Sequence, residues 1–172
     1  MDRSSEIDTS NLNLAELKIV AEKAERALDS CMTIYDQIMT KLEVQLRINM
    51  LSAATVLGLL SSKIDVLIIP LSILLAGNIA AAIAALIGSR AIRIAFSGSA
   101  WSDFENYRDI YGGDERGLLR YSIAVCLEKI SSVIDVTNSR GKWLNISLRI
   151  LTVTIMLSVA TLAYSVSGLP WF

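Results

Sequence analysis

The sequence predicts an all-α integral membrane protein, in which a transmembrane helical hairpin and a C-terminal transmembrane helix accompany two long cytosolic helices. An uncharged run of twenty-four residues covers 66–89, and a second uncharged run covers 150–172. About 20 apolar helical residues cross the ~30 Å hydrocarbon core of a bilayer, so both runs are long enough to span it. Hydrophobic residues make up 53% of the 172-residue chain, which exceeds the usual share in a soluble domain.

The composition argues against several classes of function. The chain has no histidine, which removes the usual general base and the commonest metal ligand. A net charge of −1 gives no basic surface for nucleic acid. We find no phosphate-binding glycine loop, paired-cysteine motif or carboxylate cluster, so we expect no enzyme, cofactor or metal site. Cys31 and Cys126 are interpreted as small apolar residues on helix faces, with a disulfide or redox role as the alternative.

The first long helix is predicted to be amphipathic and cytosolic, over residues 13–46, after a flexible polar N-terminus (1–12) without a cleavable signal peptide. Asn13 and Glu16 have the spacing of a capping box. Residues at alternating spacings of three and four then form a seam, which either packs on another helix of the chain or on copies of itself. This seam comprises Leu14, Leu17, Ala21, Ala24, Leu28, Cys31, Tyr35, Ile38, Leu42 and Gln45.

A transmembrane hairpin is predicted over residues 47–93, with spans near 47–62 and 66–89 and a turn at 61–65. No glycine or proline interrupts 14–57, so the cytosolic helix is expected to continue into the first span. That span has only about 22 Å of uncharged helix, and Arg47 and Lys63 must snorkel outward to extend it. Pro70 falls near the start of the second span, where a proline costs least.

The second span carries a face of small residues that favours close helix packing and predicts a homo-oligomer. This face comprises Gly77, Ala81, Ala85 and Gly88. Asn49 and Asn78 are the polar side chains of the two spans. Each either forms a hydrogen bond between helices or lines a path for water.

Residues 94–142 form a cytosolic segment that contains the second amphipathic helix, from about Asp114. Its seam comprises Leu119, Ile123, Cys126, Ile130, Val133 and Thr137, and its first turn carries Asp114 and Glu115 near the positive end of the helix dipole. A C-terminal transmembrane helix over 143–172, with its span near 146–166, follows directly, although Gly141 can loosen the join.

An aromatic group precedes the second helix: Trp101, Phe104, Tyr107 and Tyr111. We interpret it as an interfacial anchor, as a stacking surface for a nucleobase, or as packing on the cytosolic helices. In the second interpretation the candidate ligand-binding residues are Arg108, Arg116 and Arg120, which would face phosphate.

The distribution of basic residues predicts the orientation in the inner membrane. The hairpin turn has only Lys63, and residues 165–172 have no basic residue. The positive-inside rule therefore places the N-terminus in the cytoplasm, and the hairpin tip and the C-terminus outside. Trp171 and Phe172 would lie in the outer interface.

Three stretches within residues 40–165 resemble the Pycsar transmembrane effector family of bacterial anti-phage defence. They are Leu118-Leu119-Arg120-Tyr121 through Ile130, Asn138-Ser139-Arg140-Gly141-Lys142-Trp143-Leu144 before the last span, and Arg47-Ile48-Asn49 at the hairpin entry. The resemblance implies a dormant oligomer that responds to a cyclic mononucleotide made by a partner cyclase and then damages the inner membrane. The SLATT family has a similar two-span hairpin but would not explain the third span.

The predicted function is therefore that of a membrane effector that oligomerises and permeabilises or depolarises the inner membrane. Two alternatives stay open. One is a holin-like pore without nucleotide control, and the other is a structural or accessory subunit that docks a partner through its heptad helix.

Overall fold

The computed structural model describes residues 9, 11–61, 64–90, 108 and 113–167, and these residues form three long helices and no strand. Helix α1 is Leu14–Leu60, α2 is Asp65–Ser89 and α3 is Glu115–Val166. The all-α prediction is confirmed for this part of the chain. In it, α2 and α3 are long and apolar enough to cross a membrane, whereas α1, which contains the predicted first span, does not meet the same criterion.

Several predicted features lie outside the described residues. They are most of the flexible N-terminus, the aromatic group (Trp101, Phe104, Tyr107 and Tyr111), Lys63 in the hairpin turn, and the C-terminal Trp171 and Phe172.

Local sequence determines where the helices begin. The Asn13 amide donates to Glu16 Oε2 at 2.8 Å, and Asn13 Oδ1 accepts from the Glu16 amide at 2.9 Å, which confirms the predicted capping box. Asp114 caps α3, because its Oδ1 accepts from the Gly117 amide at 2.8 Å. Both caps satisfy main-chain donors that have no partner inside the helix.

Two of the helices are longer than any predicted span. Helix α1 has 47 residues and α3 has 52. The continuation of the first amphipathic helix into the first hydrophobic segment is confirmed. In α3 the backbone stays helical through Gly141, so this glycine does not loosen the join to the terminal hydrophobic segment.

Pro70 lies inside α2, in its second turn. Because proline has no amide hydrogen, the Val66 carbonyl lacks its usual helical partner. The Pro70 carbonyl itself accepts a hydrogen bond from Ser158 Oγ at 2.9 Å.

The chain divides into two compact units. Unit 1 consists of Met1–Ile34 and Arg93–Asp135, and unit 2 of Tyr35–Ile92 and Val136–Phe172. In unit 1, Leu17 and Ala21 of α1 form the core with Ile123 of α3, and Leu119 and Leu127 pack against it. For the described residues of this unit, the in-chain interpretation of the seam is therefore confirmed.

Unit 2 contains all of α2. Ser147 Oγ of α3 donates to the Ala81 carbonyl at 2.8 Å, while Ser158, further along α3, bonds to the earlier Pro70. These contacts show that α2 and α3 are antiparallel in this unit.

Helix α1 also packs in unit 2. A Cβ added at Gly88 would lie 3.1 Å from a Leu42 methyl and 2.7 Å from Trp143 Cβ. Gly88 of α2 is thus the close-packing point for side chains from both other helices.

Candidate functional site

The described part of unit 2 buries several polar side chains beside apolar ones and exposes many large apolar side chains. All the buried polar or charged residues of the described chain belong to this unit: Gln45, Asn49, Asn78, Arg140, Ser147 and Thr154. Large apolar side chains on all three helices are exposed instead, including Leu51 at 72%, Met156 at 68% and Val159 at 60%. Water would disfavour such a surface, whereas a hydrocarbon solvent would not.

The continued seams account for the buried polar positions of α1 and α3, whereas Asn78 lies on α2. On α1, the spacing continues past Gln45 to Asn49, Ser52 and Val56, and on α3 it continues past Thr137 to Arg140, Leu144, Ser147, Leu151, Thr154 and Ser158. Each of these residues is buried or partly buried. We call these residues, with Gln45, the polar seam. The predicted seams ended at Gln45 and Thr137, although the same period, when continued, reaches Arg140 and Ser147.

The two predicted transmembrane asparagines are both buried, but neither bonds to another helix within the described residues. Asn78 Nδ2 donates to the Leu74 carbonyl at 2.9 Å, and Asn49 Oδ1 accepts from Gln45 Nε2 at 3.3 Å. Asn49 Nδ2 and Asn78 Oδ1 have no partner among the described residues. Each side chain thus bonds within its own helix, so the interhelical interpretation is wrong for this structure, and a path for water stays a prediction.

Serines form the interhelical bonds that the asparagines do not. Ser147 is fully buried and Ser158 is partly buried, and both donate to carbonyls of α2. A short hydroxyl bonds across a helix contact only where the backbones approach closely, which the small residues of α2 allow. These serine hydrogen bonds could not be predicted from the seam spacing alone, because they depend on how closely the α2 and α3 backbones approach.

The small-residue face of α2 is buried within the chain. Ala81 and Ala85 are fully buried, and a Cβ added at Gly77 would overlap Thr154, whose own Cβ would be 2.5 Å away. Close packing at this face is confirmed. Its partners include Thr154 and Ser147 of the same chain, so this face no longer supports the predicted homo-oligomer.

Arg140 of α3 is the buried cation of unit 2, with 2% of its surface exposed. Its Nη2 donates to the Arg90 carbonyl at 3.2 Å, its guanidinium lies 4.7 Å from the centre of the Tyr35 ring, and Nη1 contacts Met39 Sδ. No carboxylate of the described residues forms an ion pair with it. Arg140 therefore links α1 to the C-terminal end of α2, where the helix dipole favours a cation.

Two of the predicted ligand-binding arginines contact the main chain in unit 1. Arg116 donates to the Leu12 carbonyl, and Arg120 Nη2 donates to the Thr9 carbonyl at 3.1 Å. They hold the segment that precedes α1 against the start of α3. Arg108 is exposed. These contacts give Arg116 and Arg120 a structural role, and the nucleotide site remains a prediction.

The buried thiol of unit 1 lies on the seam of α3. Burial raises the pKa of Cys126, and the nearby charges of Glu25 and Asp29 raise it further, while Lys129 and a hydrogen bond with Ser122 act in the opposite direction. Both cysteines are free thiols, so the disulfide alternative is not realised. A thiol with a raised pKa is a poor nucleophile at neutral pH, because the thiolate is the reactive form.

We expect maleimide to modify Cys31 before Cys126 in the folded protein at pH 7. Cys31 is partly exposed, whereas Cys126 is 8% exposed and has the raised pKa. The rate at Cys126 should keep rising at pH values where an ordinary thiol has already reached its plateau. Mass spectrometry of single-cysteine variants (Cys31→Ser and Cys126→Ser) measures both rates. Equal rates at pH 7 would contradict the burial of Cys126.

Comparison with known proteins adds no relative: no family model matches the chain, and neither a curated protein nor a solved structure does. In the described residues, no group of three or more cysteine, aspartate or glutamate side chains could hold a metal ion. The polar seam, which includes Arg140, is the candidate functional feature of the described residues.

Proposed function

We propose that the protein is a three-span effector of the bacterial inner membrane that permeabilises the bilayer when its polar seam separates. The observation that supports this proposal best is the large apolar surface that unit 2 exposes around a partly polar interior. Exposed leucine, isoleucine, valine and methionine side chains suit contact with lipid, while amides and hydroxyls are kept inside. Separation of the helices would open the interior and expose these polar groups to water.

In this proposal α1 supplies the third span. Its C-terminal third exposes Met50, Leu51 and Leu57 at 61%, 72% and 55%, as lipid-facing residues would be. Only about 22 Å of this segment is uncharged, so the bilayer must thin, or the flanking charged side chains must snorkel outward, at a cost of fractions of a kcal/mol per Å. A span held this weakly can move at modest cost.

Two buried polar atoms in the interior of the closed state also lack hydrogen bonds within the described residues. Asn49 and Asn78 each bury one amide atom that has no hydrogen-bond partner in the described part of the chain, and such an atom costs about 1–3 kcal/mol. The closed helices are thus stabilised less than an apolar contact of the same size would be. Opening to water would recover part of that free energy.

The trigger in this proposal acts on unit 1, and a cyclic mononucleotide is the trigger that the family resemblance suggests. Helices α1 and α3 each run without a break through residues of both units. Repacking of their N-terminal halves would therefore change the positions of the same helices in the membrane. No catalytic group is needed for this step.

The test is propidium uptake and membrane potential in bacteria after induction, with and without a co-expressed nucleotide cyclase. We expect uptake and depolarisation with wild type. Asn78→Leu should reduce both, because it removes the unsatisfied buried carbonyl while preserving an apolar contact. Asn145→Leu is the matched control, since Asn145 is an exposed asparagine of α3. It should behave as wild type.

Reporter fusions before residue 1 and after residue 172 check insertion in the same strain and should give opposite locations. If both report the same side, α1 does not span and the three-span topology is wrong. If the cells stay polarised under every trigger while the topology holds, both the effector and the holin-like interpretation fail. The protein would then be a membrane scaffold.

A further inference from the structure

We infer that unit 2 binds one anionic phospholipid in the groove between α1 and α3, with the phosphate at Lys41 and an acyl chain along the groove. This inference rests on the proposed membrane location of unit 2. The groove has a volume of about 270 Å³ and is lined by Thr40, Lys41, Val44, Gln45, Leu144 and Leu148.

Along the helices, the charged lining residue comes before the apolar ones, as the headgroup of a phospholipid comes before its acyl chains. Lys41 is at the polar end, about 10 Å of helix before the uncharged segment that starts at Ile48. Val44 and Leu148 follow and are 47% and 44% exposed, so each presents apolar surface to an acyl chain. A lysine stem at this depth snorkels toward the headgroups and carries its ammonium there.

The charge around the groove favours an anionic headgroup. Glu43 is the single acidic residue within 37–52 and 138–150, and it is already 3.9 Å from Arg47. The basic residues of the same stretches are Lys41, Arg47, Arg140, Lys142 and Arg149. No carboxylate of the described residues forms an ion pair with Lys41, so its ammonium is available to a phosphate.

The size of the groove argues for part of a lipid chain. Pockets for small-molecule ligands and cofactors occupy about 300–1,000 Å³. The volume of about 270 Å³ lies below that range, and the lining is mostly aliphatic. Basic pockets between helices at the cytoplasmic face are a known way to hold anionic lipid headgroups.

Titration of the full-length protein in mild detergent, followed by native mass spectrometry, tests the inference. The probes are phosphatidylglycerol, phosphatidylcholine and inorganic phosphate. We expect one phosphatidylglycerol to bind about fivefold more tightly than phosphatidylcholine, as one interfacial lysine provides. Inorganic phosphate, which has no chain, should not be retained.

Two variants test the headgroup contact and the acyl-chain contact separately. Lys41→Gln should reduce phosphatidylglycerol affinity to the level of phosphatidylcholine, and Val44→Trp should abolish the retention of both lipids by filling the groove. The matched controls are Lys23→Gln, an exposed lysine of α1 in unit 1, and Val153→Trp, a valine of α3 that is 56% exposed. Both controls should bind as wild type.

Equal binding of the two lipids by wild type, or wild-type retention by Val44→Trp, would overturn the inference, and so would retention of phosphate alone. These outcomes are distinguishable from a failure of the proposed function. Lipid retention is read from the purified protein, whereas permeabilisation is read from propidium uptake in cells. Either result can fail while the other holds.

Discussion

Gly77→Ala is expected to destabilise the protein by about 3 kcal/mol, the upper end of the usual cost of overfilling a packed contact. The added Cβ would lie 2.5 Å from Thr154 Cβ, an atom next to the backbone that no rotamer change can move away. Helices α2 and α3 must therefore separate at this point. The interhelical bonds of Ser147 and Ser158, on either side of the contact, should weaken with it.

Gly58→Ala is the matched control and should stabilise the protein instead of destabilising it. A Cβ added at Gly58 meets no atom within 4 Å, so the variant gains helix propensity of about 1 kcal/mol without a clash. Unfolding in sodium dodecyl sulfate, followed by circular dichroism, measures both changes. Thr154→Gly combined with Gly77→Ala should restore most of the stability. If Gly77→Ala is as stable as wild type, the close α2–α3 contact does not exist.

Arg140→Ala should destabilise unit 2 by about 2–3 kcal/mol. The variant removes a cation–π contact with Tyr35 and the donor to the Arg90 carbonyl, and it leaves a cavity at a position that is 2% exposed. Relief of a buried charge without an ion pair offsets part of this loss.

Arg140→Met separates these contributions. Methionine keeps most of the apolar stem and removes the charge, so we expect a loss of about 1 kcal/mol. Arg149→Ala is the control, because Arg149 is an exposed arginine of the same helix. Its unfolding in the same assay should match wild type. A smaller effect for Arg140→Ala than for Arg149→Ala would show that Arg140 does not link the helices.

The starts of α1 and α3 and the turn between α1 and α2 followed from local sequence. The capping box of Asn13 and Glu16 and the charged cap at Asp114 specify where α1 and α3 begin. The polar turn at 61–65 was expected to end the first helix, and α1 ends at Leu60 and α2 begins at Asp65. These features depend on residues at most four positions apart, so a single sequence is enough to identify them.

The partners of the interior side chains did not follow from the sequence. The small-residue face of α2 suggested a second copy of the chain, and in the structure Thr154 and Ser147 contact it instead. Small residues predict only that some helix approaches closely, and the spacing is the same whichever helix that is. For Asn49 and Asn78 the sequence left open a hydrogen bond between helices or a path for water, and in the structure each bonds within its own helix.

The sequence by itself therefore determined a helical chain with two long apolar segments, the seams of two amphipathic helices as far as Gln45 and Thr137, and the starts of those helices, because periodicity, capping and hydropathy are local properties. The tertiary structure decided that the seam becomes polar inside unit 2 and that serines, not asparagines, bond across helices. It also decided that Arg140 links α1 to the end of α2. These outcomes depend on backbone separation and side-chain direction, which only the packed helices specify.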